Sequence, residues 1–495
     1  MKYRPATRLQ VLLTEIRPGW IFLLAITLRL SLFLFSQPWA SDWPQKVISA
    51  DSFEYTVLGR SLIERGEFSY TWPVAMPNAL RLPIYPLFVA LTSGFGTLSL
   101  IWLTSLTQIV IDSLFAAFLI KCIGGLFLNS QAGRVAAILY AINPDAIFWS
   151  TQIMPESFSV WVIIGSLYGL SAAYQRFDIL SLARFTTGAA CASVLPLVKP
   201  AWQYLWVMLI AWTIIAAFRS KRFTSAALIL CGCLVIVAPG AFWIDRNAKA
   251  WGVPRLSVNG PLAQQWAAKA ILDGVEGTSP DYAPEMAKHI GLIADISQED
   301  WIPARFKQVV AWNRDGLAED IEQGKHLLPF VLHNYLPQYV KSAALGTLDV
   351  LIAPQNKSLK EFLGTSVKGE LKWKTMSGAH IDTKDKIFQF LLMRLTDPFA
   401  IFWSAYVFGY LSLLYIATLS GIKYYFRNHL WSIWTLFIIG VASMMFLMGP
   451  LGQARYRFVM TQPLLPVASL AIASLVCRLG YKNNEADPGF KPTGA

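Results

Sequence analysis

Leu98-Ser-Leu-Ile-Trp-Leu-Thr-Ser-Leu-Thr-Gln-Ile-Val-Ile-Asp-Ser-Leu-Phe-Ala-Ala-Phe-Leu-Ile120 holds a single ionisable group, Asp112, in an otherwise apolar run. About 18 or more residues of this kind match the ~30 Å of hydrocarbon that a helix must cross. Inside lipid the backbone has no water to bond, so such a run satisfies itself as a helix. The same reading applies to Trp20–Phe35, Ala132–Trp149, Glu156–Tyr174, Phe185–Leu197, Trp202–Phe218, Ser225–Trp243, Pro398–Ile422, Leu430–Leu447 and Gln462–Cys477. The expectation is an all-α polytopic membrane protein of about ten spans.

Composition agrees with that reading. Of 495 residues, 55% are hydrophobic and only 15% charged, and mean hydropathy is +0.45. A soluble chain would be nearer a quarter charged. The net charge of +12 does not point to nucleic acid, because the basic residues gather in short loops beside the spans rather than in a stripe. The five cysteines (122, 191, 231, 233 and 477) lie in or beside apolar runs, which argues against an exported disulfide framework. No histidine stands in a metal-ligand spacing such as HExxH, so no metal or other cofactor is implied.

Charge sets the orientation. Lys2, Arg4, Arg8 and Arg17 precede the first run, which is too long for a signal peptide and is read as a retained span. With that basic end inside, Lys121, Arg134, Arg176, Arg184, the Arg219-Ser220-Lys221-Arg222 cluster, Lys423, Arg427 and Arg478 all fall inside. Counting Leu82–Phe95 as a span would reverse this. Its Pro83, Pro86 and short length instead suggest a helix at the outer surface. The resulting plan is a membrane module over 1–244 with an outer loop at 37–97. An outer domain with interfacial helices at 245–397, closing spans over 398–478 and an inner tail at 479–495 follow.

Several ionisable groups break the inward bias. Arg455 and Arg457, in Gly452-Gln-Ala-Arg-Tyr-Arg-Phe458, fall outside; so do Arg246, directly after a span, and Arg81, before Leu82-Pro83. Arg29 lies within the first span. A guanidinium binds phosphate oxygens two at a time and never loses its proton; the plainer alternative is an arginine that snorkels or pairs with a carboxylate. Asp51 heads an amphipathic stretch with Tyr55, Leu58 and Leu62 on one face. It suits a general base for an acceptor hydroxyl, but by residue type alone the favoured reading is a helix N-cap with Glu54 three residues on. Asp112 is expected to pair within the bundle or to mark a polar path. Glu156 and Lys199 sit at outer helix ends.

The outer segment Asp51-Ser-Phe-Glu-Tyr55, Gly59-Arg60-Ser-Leu62, Gly66-Glu-Phe-Ser69 and Arg81-Leu-Pro-Ile-Tyr-Pro-Leu-Phe88 resembles the first outer loop of bacterial GT-C glycosyltransferases. That group is related to protein O-mannosyltransferases and the lipid A aminoarabinose transferase. Asn143-Pro144 through Met154-Pro-Glu156, Pro239 through Arg246-Asn247, and Arg455-Tyr-Arg457 with Pro463 continue the likeness in order; Gly260 to Asp397 matches poorly. The resemblance implies a GT-C-like bundle of 10–11 spans in a bacterial inner membrane, with a periplasmic active face. The implied activity is inverting transfer of a sugar from a polyprenyl-phosphate donor to a hydroxyl of a lipid, glycan or protein. By position, Asp51 resembles the base, and Arg81, Arg246 and Arg455 or Arg457 would hold the donor phosphate. Arg60, Arg29, Tyr55, Tyr85, Glu156 and Lys199 are further candidates. Ser52 stands where many relatives carry a second acid. A flippase for lipid-linked saccharides and a polysaccharide polymerase or ligase are the competing readings. The first should show matched repeats, which are not evident here; the second lacks the Asp51-to-Pro86 pattern.

Overall fold

The computed structural model describes residues 8–40, 43, 50–71, 75–78, 80–94, 101–174, 178–220, 223–251, 254–257, 328–352, 363, 398–429, 432–448 and 457–485. Among these, helices dominate, joined by one short antiparallel hairpin of β1 (Ser69–Thr71) and β2 (Ala75–Pro77) with Tyr70 opposite Met76. Seven helical segments are long and apolar enough to cross a membrane, which marks a multi-pass membrane protein. Two further apolar stretches, Ile433–Ala442 and Leu464–Cys477, are shorter.

The chain opens with α1 (Arg8–Glu15) and the span α2 (Pro18–Phe35), whose Pro18 occupies the first turn, where its missing N–H costs nothing. Helix α3 (Ala50–Arg65), the hairpin and α4 (Ile84–Thr92) fill the expected outer loop. At nine residues, α4 is ~14 Å long and does not cross a bilayer. Then come α5 (Ile101–Leu126), α6 (Ser130–Ala141) and α7 (Pro144–Trp149). The single span expected over Ala132–Trp149 is therefore two helices. Pro144 cannot continue α6, and Asn143 restarts the chain by accepting the backbone N–H groups of Asp145 and Ala146.

Helices α8 (Pro155–Leu170), α9 (Ile179–Val194), α10 (Gln203–Arg219) and α11 (Phe223–Trp251) complete the first module. Helix α8 packs on α9 through Gly169 and Gly188, where a methyl on Gly169 would lie 2.3 Å from the Gly188 Cα. Beyond them lie α12 (Leu336–Ile352), α13 (Pro398–His429), α14 (Ile433–Met448), α15 (Arg457–Thr461) and α16 (Leu464–Glu485). Helix α16 runs through the point where the inner tail was expected to begin, and 486–495 lie outside the described residues. So do Lys221, Arg222, Arg455 and most of the expected 245–397 domain.

The main apolar cluster draws on α5, α6, α8 and α16, with the buried Trp43, Trp202 and Trp434 among its largest members, and a small second one joins Val331, Tyr339 and Ala343. Residues beside the loops expected on the inner side also meet in space. Arg134 donates to the Ile16 carbonyl at 3.4 Å, Cys477 Sγ lies 3.1 Å from Gln131 Oε1, and the Phe127 ring sits 5.0 Å from His429. Tyr85 on α4 reaches Gln108 near the other end of α5. From Gln108 to Phe127 along α5 is ~28 Å at 1.5 Å per residue, about the hydrocarbon thickness.

Candidate functional site

Helix α3 presents Asp51 and Glu54 one turn apart, on the face that meets Arg81. Arg81 Nη2 donates to Asp51 Oδ1 at 2.6 Å and to Glu54 Oε1 at 3.2 Å, while Nε donates to Glu54 Oε2 at 2.8 Å. The side chains are 13%, 19% and 10% exposed for Arg81, Asp51 and Glu54, enough to be reached from outside yet shielded from bulk water. Tyr55 underlies the guanidinium, with 5.4 Å from ring centre to Arg81 Cζ, and stacks edgewise on Tyr85 at 5.0 Å. Tyr85 donates its O–H to Gln108 Oε1 at 2.7 Å, which fixes α4 to α5. Burial by itself weakens the hold of Arg81 on its proton, but Asp51 and Glu54 outweigh it and raise the guanidinium pKa above its ordinary value.

Close approach of α3 and α4 is what assembles this group. A methyl on Gly59 would stand 2.1 Å from the Pro86 carbonyl oxygen, so only glycine lets the two helices meet there.

Asn78 links the cluster to Arg246 at the end of α11. Its side-chain oxygen accepts the Arg81 backbone N–H at 2.7 Å, and its backbone carbonyl accepts Arg246 Nη1 at 2.6 Å. Arg246 Nη2 reaches the Phe68 carbonyl at 2.9 Å, so one guanidinium clamps both arms of the hairpin. Asn247 Oδ1 also accepts from Nη1, at 2.8 Å, and the cation lies 4.8 Å from the Trp243 ring centre. Every hydrogen-bond partner of Arg246 among the described residues is a neutral carbonyl. Among those residues its positive charge is held in place without a carboxylate against it.

Other candidates are placed differently. Arg29 is fully buried and donates from Nε to Asp112 Oδ2 at 2.7 Å and from Nη1 to the Ala25 and Ala141 carbonyls. Asp112 also accepts from Tyr140 Oη and Trp161 Nε1, each at 2.7 Å. Arg29 is thus the internal counter-ion of Asp112, tying α2, α5, α6 and α8, rather than a cation facing a lipid headgroup. Of the two roles open to Asp112, it takes the paired one. Arg457 forms a buried two-pronged pair with Asp145, at 2.7 and 2.6 Å, which joins α15 to α7 and commits that edge of the guanidinium to a carboxylate. Arg60 makes an exposed one-turn pair with Glu64 and stands away from Arg81 on α3. Lys199 pairs with the fully buried Glu156 at 2.9 Å.

Glu54 belongs to this candidate site although sequence reasoning treated it only as a capping partner; its three-residue offset from Asp51 was the available signal. Asn78, Phe68 and Trp243 carried no such signal, because only the tertiary approach of the hairpin to α11 gives them a role. Among the described residues no three His, Cys, Asp or Glu groups gather as a metal site would require. In comparisons with known proteins the chain matches no family model, no curated protein and no solved structure.

Proposed function

We propose that this protein is an inverting glycosyltransferase that moves a sugar from a polyprenyl-phosphate donor to an acceptor hydroxyl at the outer face of a bacterial inner membrane. The reading rests on one observation above all: a shielded carboxylate, Asp51, lies in the same hydrogen-bonded assembly as Arg246, a cation with no carboxylate against it among the described residues. On this reading a lipid-linked headgroup docks beside the end of α11, which carries Arg246.

In the reaction, Asp51 takes the acceptor hydroxyl proton as its oxygen attacks the anomeric carbon. The bond from that carbon to the phosphate oxygen breaks, its electron pair leaves on the phosphate, and the configuration inverts. Polyprenyl phosphate is the second product. Arg246 and the outward edge of Arg81 meet the growing phosphate charge, and fixed cations in a shielded site stabilise such charge without reorganising. A monophosphate leaving group can be balanced by arginine alone, so the reaction demands no metal. Arg457 in its Asp145 pair, Arg29 with Asp112 and Lys199 with Glu156 are assigned to holding the bundle.

The test uses full-length protein in proteoliposomes with labelled polyprenyl-phosphate sugar. Asp51→Asn should fold and insert normally and lower release of polyprenyl phosphate by about 10²–10⁴-fold, the usual worth of a general base. Wild-type turnover in that variant removes Asp51 from the mechanism. Donor crossing the bilayer uncleaved in the wild type would favour the flippase.

A further inference from the structure

A base paired with an arginine is a weakened base. An adjacent guanidinium lowers a carboxylate pKa by roughly 1–3 units, because it stabilises the ionised form. At 2.6 Å from Arg81, Asp51 would face the full effect if Arg81 had no other partner. It has one: Glu54 takes the Nε–Nη2 edge with both carboxylate oxygens, at 2.8 and 3.2 Å, and so shares Nη2 with Asp51.

Resting on the transferase reading above, we infer that Glu54 is a positioning residue that divides the charge of Arg81 between two carboxylates and thereby keeps Asp51 basic enough to accept a proton. The two acids lie on one face of α3, three residues apart, so the rigidity of a helix fixes their relation to Arg81. Asn78 fixes the other side by accepting the Arg81 backbone N–H. Glu54 also sets which nitrogen meets Asp51. With Nε and Nη2 committed to α3, the remaining nitrogen, Nη1, is the edge left for the donor phosphate.

The elements described around Asp51 contribute charged and titratable groups as follows. Helix α3 supplies Glu54 and Tyr55, the turn before α4 supplies Arg81, and α4 supplies Tyr85. Strand β1 carries no acidic or basic residue, and Arg246 reaches the neighbouring Phe68 carbonyl from α11. Glu54→Gln takes a negative charge from the Arg81 guanidinium that Asp51 shares, which gives the effect a definite sign.

Glu54→Gln keeps the shape and one acceptor for Arg81 while deleting the charge; Glu54→Asp keeps the charge. Transfer is followed with full-length protein in proteoliposomes at saturating donor as pH is varied. The acid limb of kcat should move to lower pH by about one unit in Glu54→Gln. The plateau should fall roughly three- to tenfold, since a weaker base gives a slower proton transfer. Donor KM should stay within about twofold, the phosphate-facing edge being intact. In Glu54→Asp the limb should return towards its wild-type position. A lowered plateau with an unmoved limb would overturn the inference and leave Glu54 as a packing residue. The Asp51 carboxylate band, isolated as the infrared difference between wild type and Asp51→Asn, gives the same titration without turnover. If Asp51→Asn proves fully active, the transferase mechanism fails, and the infrared shift still decides what Glu54 does to Asp51. If Asp51→Asn is inactive and neither limb nor band moves, the mechanism stands and the Glu54 inference falls.

Discussion

The Arg29–Asp112 pair offers the sharpest test of how this bundle is held together. Both side chains are fully buried, and the carboxylate receives three donors at 2.7 Å: Arg29 Nε, Tyr140 Oη and Trp161 Nε1. Asp112→Asn keeps the volume but breaks the logic of that arrangement. If the amide oxygen stays towards Tyr140 and Trp161, its NH₂ confronts the Arg29 N–H, donor against donor. If it flips, Trp161 loses its acceptor, since an indole can only donate. In either case an uncompensated guanidinium remains in the core, a loss of about 3–5 kcal/mol for breaking a buried pair. Adding Arg29→Met should recover much of this. The amide oxygen introduced by Asp112→Asn then keeps Tyr140 and Trp161 as donors, and Arg29 Nη2, which has no partner among the described residues even in the parent, disappears with its charge. The expected result is strong non-additivity, with a coupling of about 2–3 kcal/mol between the two sites. Denaturant unfolding of the four proteins in detergent micelles, read by tryptophan fluorescence, measures it. Additive effects, or a single Asp112→Asn cost below about 1 kcal/mol, would refute the structural role given to the pair. Should the double variant refold well and still transfer sugar, Arg29 has no part in donor binding.

Two further variants probe the outer assembly. Gly59→Ala places a methyl 2.1 Å from the Pro86 carbonyl and forces α3 from α4; it should cost about 1–3 kcal/mol as an overpacked contact. Unchanged thermal stability in micelles would show that the two helices are not held at that distance. Arg246→Lys cannot span the Phe68 and Asn78 carbonyls as a planar fork does. Donor KM should rise roughly tenfold, the worth of a charge-assisted hydrogen bond, and rise further in Arg246→Ala. An unaltered donor saturation curve in both variants would release Arg246 from the site.

Legibility in the sequence followed the physics of each feature. The spans and the α3 face were readable because hydrophobic length and helical periodicity are local properties: Tyr55 and Leu58 are buried, while Arg60 and Glu64 are exposed. The break at Asn143-Pro144 was equally local, yet an apolar run on both sides of it disguised two helices as one. The arginines were a different matter. Arg29, Arg81, Arg246 and Arg457 look alike in a sequence, each a cation beside apolar residues. What separates them is the partner: Asp112, the Asp51–Glu54 pair, backbone carbonyls and Asp145 respectively. Those partners lie between 27 and 312 positions away along the chain, beyond the reach of any local pattern.

By itself, then, the sequence determined that this chain must be helical and must cross a membrane many times. An unbonded peptide group cannot persist in hydrocarbon, and these runs have the length to cross it. It also determined which residues carry charge where charge is costly. Tertiary structure alone decided what those charges do, since a guanidinium neutralised by a carboxylate and one resting on carbonyl oxygens differ only in what packs against them. In this protein that difference leaves Arg246 with its charge uncancelled among the described residues and locks Arg29 and Arg457 into pairs inside the bundle.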